Sequence, residues 1–218
     1  MNDNKQLYRM LDQKLPVPTG KRIVLLTGAR QTGKTTLAKA KYPAMRYINL
    51  DAPENREAVR TVLSSFWARD VGEAVLDEAQ KEPVVFDKVK FAFDEGAIRF
   101  SVLLGSSQIL LLKKVRETLA GRVSIFELWP LMMEEIFNDS AEAPQVPPLI
   151  DRLLAEMSLE DVFGSEPGLL LGREDALRRD AQERLLQWGG MPALLSLPPE
   201  ERLRWLKDYE YTYLERDV

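Results

Sequence analysis

The chain has 218 residues, 45% of them hydrophobic and 29% charged, which is enough apolar material for one large domain or for a core with a smaller appendage. Cysteine and histidine are both absent, which excludes disulfides, thiol nucleophiles, imidazole chemistry and nitrogen or sulfur metal sites, so any metal must sit on oxygen. The net charge of -4 is uneven: ten Lys/Arg face only Asp3 and Asp12 in the first fifty residues, against twenty facing thirty-two acidic residues thereafter, so no overall nucleic-acid footprint emerges.

In chain order, Leu7, Met10, Leu11 and Leu15 fall at helical spacing before Pro16-Val17-Pro18, predicting a helix over 5–15 and a linker that together occupy residues 1–20. Ile23-Val24-Leu25-Leu26 is a buried strand running into a Gly-rich turn and a helix. Strands follow at 46–50, 74–76, 100–104 and 123–128. Between them are helices from Asp51, with Val59, Val62, Leu63 and Phe66 on one face; through Val85, Val89 and Phe93 to Gly96; and from about Gln108 to Leu119. Five strands alternating with helices predict an α/β fold with a parallel sheet covered on both faces, over residues 21–138. Ala141 to Pro148 reads as a linker, and residues 149–218 show helical patterns alone. Among these, Leu177, Ala181, Leu185 and Trp188 line a helix ending at Gly189-Gly190, and a last helix follows Pro198-Pro199, together a small all-α unit. No run of about eighteen apolar residues occurs and the N-terminus lacks a secretory layout, so the expectation is a cytoplasmic chain with no membrane segment.

Gly28-Ala29-Arg30-Gln31-Thr32-Gly33-Lys34-Thr35 fits the phosphate-binding P-loop at every specified position, with Thr36 continuing into the helix. Glycines let successive backbone N–H groups turn toward phosphate oxygens, and the helix N-terminus adds partial positive charge. Lys34 is expected on the β- and γ-phosphates and the Thr35 hydroxyl on Mg²⁺. Asp77, at a strand end, is expected to share the Mg²⁺, and Glu78 to deprotonate the water attacking the γ-phosphate; an acidic helix cap is the alternative for this pair. Ser106 is a candidate sensor of the γ-phosphate, with Ser107 competing and helix capping an alternative for both; Arg122 is a candidate arginine finger, in cis or from a neighbouring subunit, or else an exposed turn residue.

These segments, with Tyr47-Ile48-Asn49-Leu50-Asp51, Leu76-Asp77-Glu78-Ala79-Gln80, Leu104-Gly105-Ser106-Ser107-Gln108, Leu119-Ala120-Gly121-Arg122, Gly189-Gly190-Met191-Pro192 and Tyr213-Leu214-Glu215-Arg216-Asp217-Val218, resemble predicted prokaryotic ATPases of the AAA superfamily. The resemblance implies a P-loop NTPase core with a helical lid over 149–218. It also implies Lys34 and Thr35 on nucleotide and Mg²⁺, Asp77 and Glu78 as the acidic pair, Ser106 as sensor and Arg122 in the finger region. It further implies a C-terminal domain of unknown function beyond Val218, so the chain reads as truncated or as a minimal member. The expected function is Mg²⁺-dependent ATP binding and hydrolysis, catalysed by Lys34, Glu78, Ser106 and Arg122. The alternative is a nucleotide-dependent binding switch with little turnover. No Asn-Lys-x-Asp guanine motif occurs, which favours ATP over GTP. A homo-oligomer and a DNA or protein client are the partners that this reading allows.

Overall fold

A computed structural model describes residues 7–106, 114–115, 117–139, 149–155, 158–163 and 172–214. Their contacts divide the chain into two units: Leu11–Trp129 with Tyr209–Val218, and Met1–Met10 with Pro130–Asp208. Residues 11–20 thus cluster with the sheet, whose unit runs to Trp129.

The first unit is a five-stranded parallel sheet in the order β2-β3-β4-β1-β5, with β1 at Arg22–Thr27, β2 at Arg46–Asn49, β3 at Ala74–Asp77, β4 at Phe100–Leu104 and β5 at Val123–Glu127. Because successive side chains of a strand point to opposite faces, the apolar runs feed two cores. Ile23, Leu25, Leu76 and Leu103 pack on one face with the helices α2 (Pro53–Thr61), α3 (Trp67–Asp70) and α4 (Val84–Asp94). Val24, Leu26, Val75, Val102 and Leu104 pack on the other with α1 (Lys34–Lys41). The predicted alternation and sheet are therefore present.

Two local expectations are corrected, and a third lies partly outside the described residues. Where a helix over 5–15 was expected, the described part holds only a 3-10 turn at Met10–Gln13; the Tyr42 hydroxyl donates to the Pro16 carbonyl and ties this segment to the sheet instead. The helix opened at Pro53 stops at Thr61, because Val62 turns extended and the Lys88 ammonium takes the carbonyls of Val59, Arg60 and Val62 at 2.8, 2.7 and 2.5 Å. Leu63 and Phe66, expected on the buried face, are consequently exposed, and Trp67 is the aromatic that enters the core. Of the helix expected from Gln108 to Leu119, residues 114, 115 and 117–119 are helical, while Gln108 lies outside the described residues, as does the 141–148 linker.

The described elements of the second unit are helices: α5 (Met133–Asn138), α6 (Leu149–Leu154), α7 (Leu159–Phe163), α8 (Arg173–Trp188), α9 (Ala193–Ser196) and α10 (Pro199–Tyr209), whose last residue counts with the sheet. The buried Glu135 carboxylate accepts from the backbone N–H groups of Met10 and Met132 and pairs with Arg9 at 3.2 Å, which fastens the N-terminal residues to α5. The Gly189-Gly190 pair has a physical reason. Gly189 ends α8 at φ 74, and a Cβ on Gly190 would meet the Leu131 carbonyl oxygen at 2.2 Å. Among the described residues no helix is long and apolar enough to cross a membrane.

Candidate functional site

The register of the sheet decides which residues meet. Leu26 lies opposite Leu104, Leu103 opposite Leu76, and Asp77 opposite Asn49, so the C-terminal ends of β1, β4, β3 and β2 share one edge. Everything attached to those ends gathers there: the loop from Gly28, the Asp77-Glu78 pair and Ser106. In open parallel sheets this is the edge where ligands bind.

The loop between β1 and α1 has the strained backbone that a phosphate cradle requires. Gly28 and Gly33 have φ of 145 and 95, and Gln31, a non-glycine, has φ 62. A Cβ on Gly28 would lie 2.2 Å from the carbonyl oxygen of Leu128, so only glycine fits where the loop passes the end of β5. The Thr32 hydroxyl donates back to the Ala29 carbonyl and closes the turn. Lys34, the first residue of α1, is buried; its Nζ donates to the carbonyls of Gly28 at 3.0 Å and Ala29 at 2.7 Å. Burial lowers its pKa, an effect opposed by the carboxylates of Glu78 and Asp77 and reinforced by Arg30.

The Thr35 hydroxyl donates to Asp77 Oδ2 at 2.6 Å, across 42 residues of sequence. Asp77 is itself buried, and its Oδ1 accepts from the Glu78 backbone N–H at 2.9 Å. A hard divalent cation seeks oxygen donors and keeps phosphate and water ligands, and the Thr35 and Asp77 oxygens suit it. Among the described residues no group of three acidic side chains could hold a metal without such help.

Glu78 stands in the left-handed region at φ 56, ψ 39, a conformation that L-residues avoid and that clusters at functional sites. Its Oε2 accepts from Gln80 Nε2 at 2.6 Å. The acidic pair does precede a 3-10 turn, Ala79–Lys81, but neither side chain caps it. Ser106 follows β4, the strand between the strand that leads into the Gly28 loop and the Asp77 strand; among the described residues its buried Oγ has no hydrogen-bond partner, nor has the hydroxyl of Thr27 at the end of β1. Ser107 lies outside the described residues.

Arg122 is not brought to this edge. It precedes Val123, which pairs with Ile23 near the N-terminal end of β1, and its carbonyl accepts from the Ile23 N–H. Its guanidinium is engaged by Asp94, at 2.5 and 3.0 Å. Parallel strands put their starts and ends on opposite edges, so a finger role within one chain does not fit this geometry.

The residue reading missed two groups. Tyr47, on β2, donates its hydroxyl to Asp77 Oδ2 at 2.7 Å, and burial first, then this bond, raises its pKa. Gln80, two positions past Glu78, holds the glutamate. Both stand within segments that carry the resemblance, yet spacing alone gives neither a role: Tyr47 reads as an ordinary strand aromatic, and Gln80 as a polar turn residue.

A family model described as an AAA domain matches residues 20–137, more than half of the chain. Uncharacterized proteins of Mycobacterium tuberculosis and Mycobacterium bovis are each 32% identical over 123 residues, covering 55% of this chain and 28% of theirs, so the match spans little more than a quarter of those relatives. Among solved structures, the Walker-type ATPase of Pyrococcus abyssi aligns at a TM-score of 0.47 and 16% identity, over 98% of this chain and 76% of that one.

Proposed function

The chain belongs to the AAA domain family, and from that premise we propose that it binds Mg²⁺ and ATP at the loop of Gly28 to Thr36 and hydrolyses the nucleotide. The observation that carries this reading is the 2.6 Å bond between the Thr35 hydroxyl and Asp77, which unites two motifs remote in sequence beside a strained glutamate. The backbone N–H groups of Ala29 to Gly33 surround the phosphates, and Lys34 leaves the Gly28 and Ala29 carbonyls for the β- and γ-phosphate oxygens. Thr35 and Asp77 would hold Mg²⁺, which would supply neutralisation of phosphate charge. Glu78 accepts a proton from water as the water oxygen bonds to the γ-phosphorus and the bond to the β,γ-bridging oxygen breaks. Ser106, whose hydroxyl has no partner among the described residues, contacts the γ-phosphate or the attacking water.

A second reading, a nucleotide-dependent binding switch with little turnover, is favoured by the placement of Arg122 on the far edge of the sheet. In that reading catalysis waits for a neighbouring copy or a client to bring an arginine. Homo-oligomerisation, a DNA or protein client and a cytoplasmic setting all belong to this proposal.

The test is Mg²⁺-dependent phosphate release from ATP, with Glu78→Gln alongside. As an ATPase, the chain turns over and the Gln variant loses about 100-fold or more while retaining ATP affinity. Binding without turnover in both proteins selects the switch, and loss of ATP affinity on Glu78→Gln contradicts the general-base role.

A further inference from the structure

Tyr47 is the third contact on a carboxylate that already has two. Asp77 Oδ2 accepts from Thr35 at 2.6 Å and from Tyr47 at 2.7 Å, while Oδ1 accepts from the Glu78 N–H at 2.9 Å. A carboxylate at a strand end turns easily about its last bond, because that torsion is broad. The backbone N–H and one mobile threonine hydroxyl hold it loosely. A tyrosine adds a rigid arm with only two torsions.

That arm is anchored at both ends. Tyr47 leaves β2 on the face covered by α1, where it packs, half-buried, against the second core cluster. The Lys39 ammonium lies 3.8 Å from its ring centroid, a cation–π contact that holds the ring against α1. Its hydroxyl therefore reaches Asp77 from β2, braced by the α1 helix that carries Thr35. A threonine hydroxyl has one proton and two lone pairs. When the proton is committed to Asp77, the lone pairs remain for a cation.

We propose that Tyr47 is a positioning residue for the metal-holding pair: by fixing Asp77 it keeps the Thr35 proton on the carboxylate and the Thr35 oxygen free for the cation, and so sets the Mg²⁺ concentration at which ATP is held. The inference rests on the nucleotide-binding reading above and adds a residue that it does not use. Removing partners that orient metal ligands typically weakens metal affinity by 10- to 100-fold.

The experiment is binding of a non-hydrolysable ATP analogue, titrated with Mg²⁺ and repeated in excess chelator, for wild type and Tyr47→Phe. Phenylalanine keeps the ring and the Lys39 contact and removes one oxygen. The expected result is about a tenfold rise in the half-saturating Mg²⁺. Binding in chelator and the metal-free unfolding midpoint stay unchanged. An unchanged Mg²⁺ requirement overturns the role of Tyr47 while leaving the nucleotide reading intact. Equal weakening with and without Mg²⁺, or a Phe variant that no longer folds, also overturns it, since Tyr47 would then be a structural residue. Wild-type protein that binds no ATP, or binds it without response to Mg²⁺, overturns the nucleotide reading itself and this inference with it.

Discussion

Glu78 and Gly28 illustrate how single residues at the site are fixed by backbone demands as much as by side-chain chemistry. Glu78 holds a left-handed conformation at φ 56, a strain of about 1 kcal/mol or more that Gln80 and the Asp77 carboxylate help to maintain. The proposed catalytic carboxylate is thereby presented just past the strand end instead of continuing β3. At Gly28 the demand is steric as well, since φ is 145 and the Leu128 carbonyl oxygen occupies the place of a Cβ. Gly28→Ala is therefore expected to destabilise the sheet unit by about 2–4 kcal/mol, combining overpacking with backbone strain. Denaturant unfolding measures that loss, and ATP binding should fall with it, because relief requires moving the loop or the end of β5. A Gly28→Ala protein of full stability would mean that the loop has room that the geometry denies.

The elements between the strands are stopped by contacts remote in sequence. The α2 helix ends at Thr61 because Lys88, on α4, satisfies three carbonyls at its C-terminus, and a cation there also matches the helix dipole. Replacing Lys88 by Met preserves the stem and removes the donors. The expected cost is about 1–3 kcal/mol, since the carbonyls lose their buried partner, read as a lower urea midpoint with an unchanged slope. A neutral outcome would show that water replaces the ammonium at no cost. The same contact explains why the apolar spacing of Val59, Val62, Leu63 and Phe66 misled: a helical period persists in the sequence, while the chain turns extended at Val62 and sends Trp67 into the core.

For the molecule as a whole, the parallel direction of β1 and β5 places Arg122 and the loop from Gly28 on opposite edges, and so separates two outcomes for oligomerisation. Specific ATPase activity should rise with protein concentration if a neighbouring copy supplies Arg122, and Arg122→Ala should abolish that rise while leaving ATP binding by the single chain unchanged. A flat dilution curve with an active Arg122→Ala variant would leave Arg122 as the partner of Asp94 alone. The sequence by itself determined the strands, because continuous apolar runs buried on both faces are readable without contacts, and it located the turn from Gly28 to Thr35, because its glycines stand where the backbone must turn. It also announced Asp77 and Glu78, whose place past an apolar run is a local feature. Only tertiary structure decided the strand order, which follows from packing rather than from any segment, and with it the meeting of Thr35 and Tyr47 with Asp77; it also decided the pairing of Arg122 with Asp94 and of Gln80 with Glu78. The contacts of Tyr47 and Gln80 run through one hydroxyl and one amide whose partners depend on where a distant or neighbouring carboxylate stands, and no periodicity encodes that.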